Sequence, residues 1–259
     1  MPIMKRFSST FCAFGLGAAL VASLLGCLSD PIGPTGITVL PAGGKHVLFI
    51  GNSLTYTNSL PQTVVDLAAS SGDTIRGYQV ALPNFAVIDH ALGMSNAVPV
   101  IQSQPWDFVV LQQGPTTTQL NRDTLILAAK LLDPYVKAAG GRTAQLMAWP
   151  NIGDTHLFDA VRRSSMLAAE AVDGVFIPAG EAWRAAMTEN ASVSLYGPDG
   201  YHPGPLGTYL AALVTYERIT GKDPRLLPGI AVVAGVTLST PEETVRFLQR
   251  IAHETVARF

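Results

Sequence analysis

The run Lys45-His46-Val47-Leu48-Phe49-Ile50-Gly51-Asn52-Ser53-Leu54-Thr55 joins an apolar segment to a small polar turn. Residues 47–50 form a continuous apolar stretch, too short for a helix of ordinary length, as expected of a strand covered on both faces of a parallel sheet. Gly51-Asn52-Ser53 punctuates it, and residues 60–71 then carry a helical pattern. Ser53 would therefore stand at the carboxyl end of a buried strand, where open α/β sheets place their sites.

Outward from this run the chain alternates between the two periodicities. Strands are expected at residues 47–50, 75–82, 107–112, 143–149 and 175–177. Helices are expected at 60–71, 87–102 with a break at Pro99, 123–139, 156–172, 181–189, 205–220 and 241–259. Residues 231–238 are apolar enough for a further strand, although Pro228-Gly229 and Pro241 bound them. Strands separated by helices imply right-handed crossovers and a mostly parallel sheet with helices on both faces. There are no internal repeats.

A second motif lies late in the chain, Asp199-Gly200-Tyr201-His202-Pro203. The Asp-x-x-His spacing lets one turn of backbone bring a carboxylate to an imidazole nitrogen, which fixes the tautomer and stabilises the imidazolium. With Ser53 this makes a nucleophile, an acid and a base in the order Ser, Asp, His. Taken singly, each residue has a plainer explanation. Ser53 could cap the next helix, Asp199 could initiate a turn ahead of Gly200, and His202 could be a surface loop histidine. In shuffled chains of the same composition, Gly-Asn-Ser arises in roughly four of a hundred and Asp-x-x-His-Pro in roughly two. The single explanations leave the joint occurrence and placement unexplained.

At these residues the sequence resembles the SGNH (GDSL-like) hydrolases, from about His46 to about Thr220. The resemblance implies a three-layer α/β sandwich around a flavodoxin-like, mostly parallel five-stranded sheet in the order 2-1-3-4-5. It also implies an oxyanion hole made of the serine's own N–H, a glycine N–H in a second block and an asparagine side chain in a third. Here the chain departs from the pattern. The second block reads Leu82-Pro83-Asn84-Phe85-Ala86-Val87 without glycine, and the third reads Leu111-Gln112-Gln113-Gly114-Pro115-Thr116 without asparagine. Asn84 or Phe85 is expected to offer the backbone N–H, if the turn can be made without glycine. Gln113 or Gln112 is expected to offer the amide, Gln113 being preferred because it lies past the last pleat of the strand. Thr116 is the literal match to the asparagine position but carries only a hydroxyl.

The N-terminus carries a different signal. Lys5 and Arg6 precede an apolar stretch over residues 11–25, short for a membrane span, that ends in small residues. Leu24-Leu25-Gly26-Cys27 resembles a bacterial lipobox, so residues 1–26 are expected to be a lipoprotein signal peptide and Cys27 the lipidated first residue of the mature chain. The plainer alternative is an ordinary cleaved signal with an accidental cysteine. Residues 27–44, with Pro31, Pro34 and Pro41, read as a tether reaching up to roughly 50 Å from the bilayer, and residues 45–259 as the hydrolase domain. Cys12 and Cys27 are the only cysteines, so the mature domain would hold no disulfide and no cysteine-based metal site.

A net charge of −2 gives no electrostatic reason to bind nucleic acid. His46, His156 and His253 show no ligand spacing, so no metal is expected, and no cofactor is implied. His90 is expected to be buried and structural. Trp149 could floor a sugar or acyl pocket, packing being the commoner role of such a residue; Trp106 and Trp183 are expected in the core. Nothing in the sequence speaks to oligomeric state. The expected function is that of an exported, lipid-anchored serine esterase whose substrate is a small ester or an acetylated carbohydrate. The alternatives are a lipase or thioesterase for longer acyl chains, and a non-catalytic carbohydrate-binding lipoprotein.

Overall fold

Strand β1, Lys45–Gly51, buries its last five residues and pairs on both sides, with β2 (Ile75–Ala81) and with β3 (Phe108–Gln112). β4 (Arg142–Leu146) and β5 (Val175–Ile177) complete a sheet ordered β2-β1-β3-β4-β5, every pairing parallel. This is the flavodoxin-like order expected. The computed structural model describes residues 37–259, so the expected signal peptide, Cys27 and most of the expected tether lie outside the described residues.

Successive side chains of a strand leave opposite faces, and the core divides accordingly. Val47, Phe49 and Val110 face one apolar cluster, which draws on α2 (Leu60–Ser70), α7 (Ala179–Glu189), α8 (Pro205–Thr220) and α9 (Glu242–Val256). Leu48, Ile50, Val109 and Leu111 face the other, built from α3 (Val87–Ala91), α4 (Ala97–Ser103) and α5 (Gln119–Ala138). Helix α6 (Phe158–Glu170) contributes to both. Helix α8 is buried almost all round and is seated by Gly207, where an added Cβ would come within 2.2 Å of the Leu195 carbonyl and 2.4 Å of the Trp183 ring. Gly207→Ala should therefore destabilise the fold by about 1–3 kcal/mol through overpacking, read as a lower urea midpoint at unchanged slope.

Four local expectations need correction. The expected helix over 87–102 is two helices, and its break falls between Ala91 and Ala97, with Gly93 at φ 80°, not at Pro99. Pro99 is the third residue of α4, where the backbone N–H has no intrahelical partner and proline costs nothing. β4 ends at Leu146, ahead of Trp149. The apolar run over 231–238 is a small hairpin of Val232–Val233 and Val236–Thr237, turned by Ala234 and Gly235 at φ 49° and 79°, the positive φ pair that two-residue hairpins need. Thr63 Oγ1 and Asp66 Oδ2 on α2 accept from the two turn N–H groups.

The fourth correction concerns the tether. Ile37 is buried in the cluster that holds Trp106 and Ile101, Leu40 N donates to Gln104 Oε1 (2.8 Å), and the Pro41 carbonyl meets His46 Nε2 (3.0 Å). The globular unit thus starts by Ile37, ahead of Lys45, because Ile37 and Leu40 gain more by burial than by staying in water. No described helix is long and apolar enough to cross a membrane.

Candidate active site

Ser53 opens the four-residue helix α1, Ser53–Tyr56, directly beyond β1. It is half-buried, and its hydroxyl makes no hydrogen bond with any described residue. Ser53 is not the helix cap; Asn52 is. Asn52 Oδ1 accepts from Leu54 N (3.1 Å), while Asn52 Nδ2 donates to the Phe85 carbonyl (3.0 Å) and so ties the turn to the second block. Beneath the turn lies Gln112, whose Oε1 accepts from Asn52 N (3.1 Å) and from the Thr55 hydroxyl (2.8 Å). A side chain on Gly51 would stand 2.6 Å from those same two oxygens, which is why the position is glycine.

His90 is fully buried under this turn, as expected of a structural histidine. Burial pushes its pKa down, and the neutral ring donates from Nε2 to the Gly51 carbonyl (2.9 Å) and accepts at Nδ1 from the Ser95 hydroxyl (2.8 Å). A histidine held neutral in the fold binds fewer protons than the unfolded chain. Its contribution to stability should therefore be lost as pH falls below the ordinary value of 6.5. Comparing urea midpoints at pH 7.5 and 5.5 should show a smaller drop in His90→Gln than in the parent protein; an equal drop would remove His90 as the source.

The late motif forms a tight loop. Asp199 Oδ1 accepts from Tyr201 N (3.0 Å) and His202 N (2.9 Å), and Asp199 Oδ2 accepts from His202 Nδ1 (2.5 Å). The His202 bond first, then the two backbone N–H groups, pull the Asp199 carboxyl down to about 2, so it is ionised throughout any working range. The imidazole is thereby oriented with Nε2 free. The loop is braced by Gly197 N on the His202 carbonyl (2.7 Å), by Ile152 N on the Gly200 carbonyl (2.9 Å) and by Trp149 Nε1 on the Tyr201 carbonyl (3.1 Å). Trp149 lies at 1% exposure, stacked on Trp183 at 3.7 Å. It supports the loop from below and floors no pocket.

The two motifs meet through Asn58. Its Nδ2 donates to the Pro203 carbonyl (2.8 Å) and to Thr208 Oγ1 (3.2 Å), joining the segment after Ser53 to the residue after His202. Thr57, Asn58, Asp199, His202 and Pro203 line one open cleft. Among the described residues Ser53 and His202 share no hydrogen bond. Catalytic hydrogen bonds are often long in unliganded sites and tighten around substrate.

The oxyanion candidates sort by what already occupies them. Asn84 makes the second-block turn at φ 61°, a left-handed conformation that asparagine tolerates, and so replaces the missing glycine. Phe85 N is committed to the Leu82 carbonyl (3.3 Å), leaving Asn84 as the block's uncommitted backbone donor. Gln112 and Gln113 leave opposite sides of the chain, as the pleat requires. Gln112 is at 2% exposure, its oxygen holds the Asn52–Thr55 turn, and its Nε2 is sealed in without a partner, so it does not reach the cavity. Gln113 does reach it, with Oε1 accepting from Val87 N (3.0 Å) and Nε2 donating to Thr116 Oγ1 (3.0 Å), which keeps one amide hydrogen spare. Thr116 is buried and donates to the Gly114 carbonyl (3.0 Å).

Sequence reasoning missed Tyr201 and Asn58. A Cβ on Gly114 would stand 3.1 Å from the Tyr201 hydroxyl, and the Tyr201 ring meets that of His202 edge to face at 5.1 Å. Tyr201 sits inside the Asp199–Pro203 motif beside His202, and that placement was the available signal. Among the described residues no group of three or more His, Cys, Asp or Glu side chains could hold a metal ion.

No family model matches the chain, and no curated protein matches it. Solved structures do. A DUF4886 family protein from Bacteroides uniformis superposes with a TM-score of 0.68 at 18% identity, over 82% of this chain and 95% of that one. A Slackia heliotrinireducens protein assigned to the SGNH hydrolases gives 0.54 at 24% identity, over 68% of this chain and 100% of that one. A catalytic mutant of an acetylxylan esterase from Geobacillus stearothermophilus gives 0.55 at 18% identity, over 70% of this chain and 96% of that one.

Proposed function

From the SGNH hydrolase fold that this chain shares with those structures, we propose that the protein is a serine hydrolase of carboxylic esters, with Ser53 as nucleophile, His202 as general base and acid, and Asp199 as the group that orients His202. The observation that carries the proposal is the Asp199–His202 pair. Its carboxylate is ionised and its imidazole is presented in one tautomer, on a loop bonded to the segment that follows Ser53. Ser53 Oγ attacks the ester carbonyl as His202 takes its proton. His202 returns that proton to the departing alcohol, and water repeats the sequence on the acyl-enzyme.

The favoured substrate is an acetylated carbohydrate. One fold neighbour, seen in two variant structures, is an acetylxylan esterase, and the cavity above the strand ends is lined by Asn52, Asn84, Gln113, Thr116 and Asn121, amide and hydroxyl groups suited to a polyol. A GDSL-like lipase from Parabacteroides merdae also shares the fold, which gives the longer-chain reading its support. Hydrolysis of p-nitrophenyl esters from acetate to octanoate by the full chain separates the two. Activity highest at acetate and falling by octanoate is expected; the reverse profile supports a lipase, and no turnover by folded protein favours a binding role.

The chain is further proposed to be an exported lipoprotein anchored through Cys27, on the strength of Lys5, Arg6, the apolar residues 11–25 and the Leu24-Leu25-Gly26-Cys27 motif. Cys27→Ser should move the protein from the membrane to the soluble fraction of a bacterial host with its esterase activity intact. Retention in the membrane would point to an uncleaved signal helix.

A further inference from the structure

The cavity of about 350 Å³ that spans the second and third blocks is lined by polar side chains, of which Asn84 and Asn121 are exposed while Asn52, Gln113 and Thr116 each have a donor in use. Asn52 Nδ2 is given to Phe85, the Thr116 hydroxyl to Gly114, and one Gln113 amide hydrogen to Thr116. The Tyr201 hydroxyl lines the same cavity and donates to no described residue. It is also firmly placed. Its ring packs edge to face on His202, its N–H is held by Asp199, and its carbonyl by the buried Trp149. The phenol comes so near Gly114 that a side chain there would crowd it at 3.1 Å. Burial, then the charge of Asp199, raises the phenol above its ordinary value, so at neutral pH it keeps its proton and acts as a donor.

We propose that the Tyr201 hydroxyl is the side-chain donor of the oxyanion hole, hydrogen-bonding the substrate's carbonyl oxygen in the place the SGNH pattern gives to asparagine. This rests on the ester-hydrolase reading. As the Ser53 Oγ–carbon bond forms, the carbonyl π pair moves onto oxygen, and the Tyr201 O–H binds that charge without giving up its proton. His202 holds the proton taken from Ser53. When the pair returns, the bond to the alcohol oxygen breaks and His202 protonates the leaving alcohol. A donor aimed at charge that exists only in the transition state raises kcat more than it tightens substrate binding.

Tyr201→Phe tests this, because phenylalanine keeps the ring against His202 and removes only the donor. Expected for p-nitrophenyl acetate are a kcat lower by about 10²- to 10³-fold and a KM little changed. The melting temperature and the shape of the pH–rate profile should also be unchanged, and affinity for a boronic acid that forms a tetrahedral adduct on serine should fall along with kcat. A kcat within about threefold of the parent, or a raised KM at unchanged kcat, overturns the proposal, as does a larger kcat loss in Gln113→Ala than in Tyr201→Phe. If Tyr201→Phe stays active while Ser53→Ala is dead, only the Tyr201 role falls. If the parent protein hydrolyses no ester, the underlying reading falls with it.

Discussion

Ser53→Ala is expected to lower kcat for p-nitrophenyl acetate by about 10⁶-fold, the scale seen when a triad nucleophile is removed. The fold should not notice. The lost hydroxyl is half-exposed and bonds to no described residue, so its removal leaves no buried group unpaired. The cap of α1 survives because Asn52, and not Ser53, supplies it. The turn beneath also survives, because Gln112 bonds to Asn52 and Thr55. Circular dichroism and the urea midpoint should match the parent while initial rates and any acyl-enzyme burst vanish. Retention of more than a tenth of the activity would assign the nucleophile elsewhere.

How much of this was legible beforehand depends on the distance over which each feature is encoded. The strand at Lys45–Gly51 and the Asp199–His202 bond were readable, because burial of a short apolar run and an i to i+3 contact are both local matters. The sheet order came from resemblance alone, since periodicity says which residues form strands and not which strands adjoin. The site's remaining connections are long-range. Asn58 reaches Pro203 across 145 positions, and Tyr201 comes to rest against Gly114. Neither has a sequence pattern, because each depends on loops placed by the whole sheet. Side-chain commitments were equally hidden. The preference for Gln113 over Gln112 could be read from its position past the strand, but the partners that hold each could not, Gln112 beneath Gly51 and Asn52 and Gln113 beside Val87. Ile37 and Leu40 were hidden by the Pro- and Gly-rich context around them, which reads as linker although these two residues dock.

Asp199→Asn should cost about 10⁴-fold in kcat, less than loss of the nucleophile, because everything except the proton's position is retained. The asparagine oxygen can take the place of Oδ1 and accept from Tyr201 N and His202 N, so the loop keeps its form. The other atom then becomes an N–H₂ facing His202 Nδ1, where the parent has a carboxylate oxygen at 2.5 Å. Two donors cannot face one another, so the imidazole proton moves to Nε2, and the nitrogen meant to take the Ser53 proton already carries one. Rotating the amide would present donors to two backbone N–H groups instead, which exchanges one mismatch for two. Asp199→Ala should lose the loop as well as the tautomer and fall further. The carboxyl's low value, about 2, adds a check on sign. Its stabilising bonds are fully present above the ordinary carboxylate value of 3.8 and fade only as pH falls towards 2. The Asp199 carboxyl itself should therefore add no pH dependence to the parent's activity between about pH 6 and 8. An Asp199→Asn enzyme within tenfold of the parent would show that His202 needs no partner, and the acid's role would have to be given up.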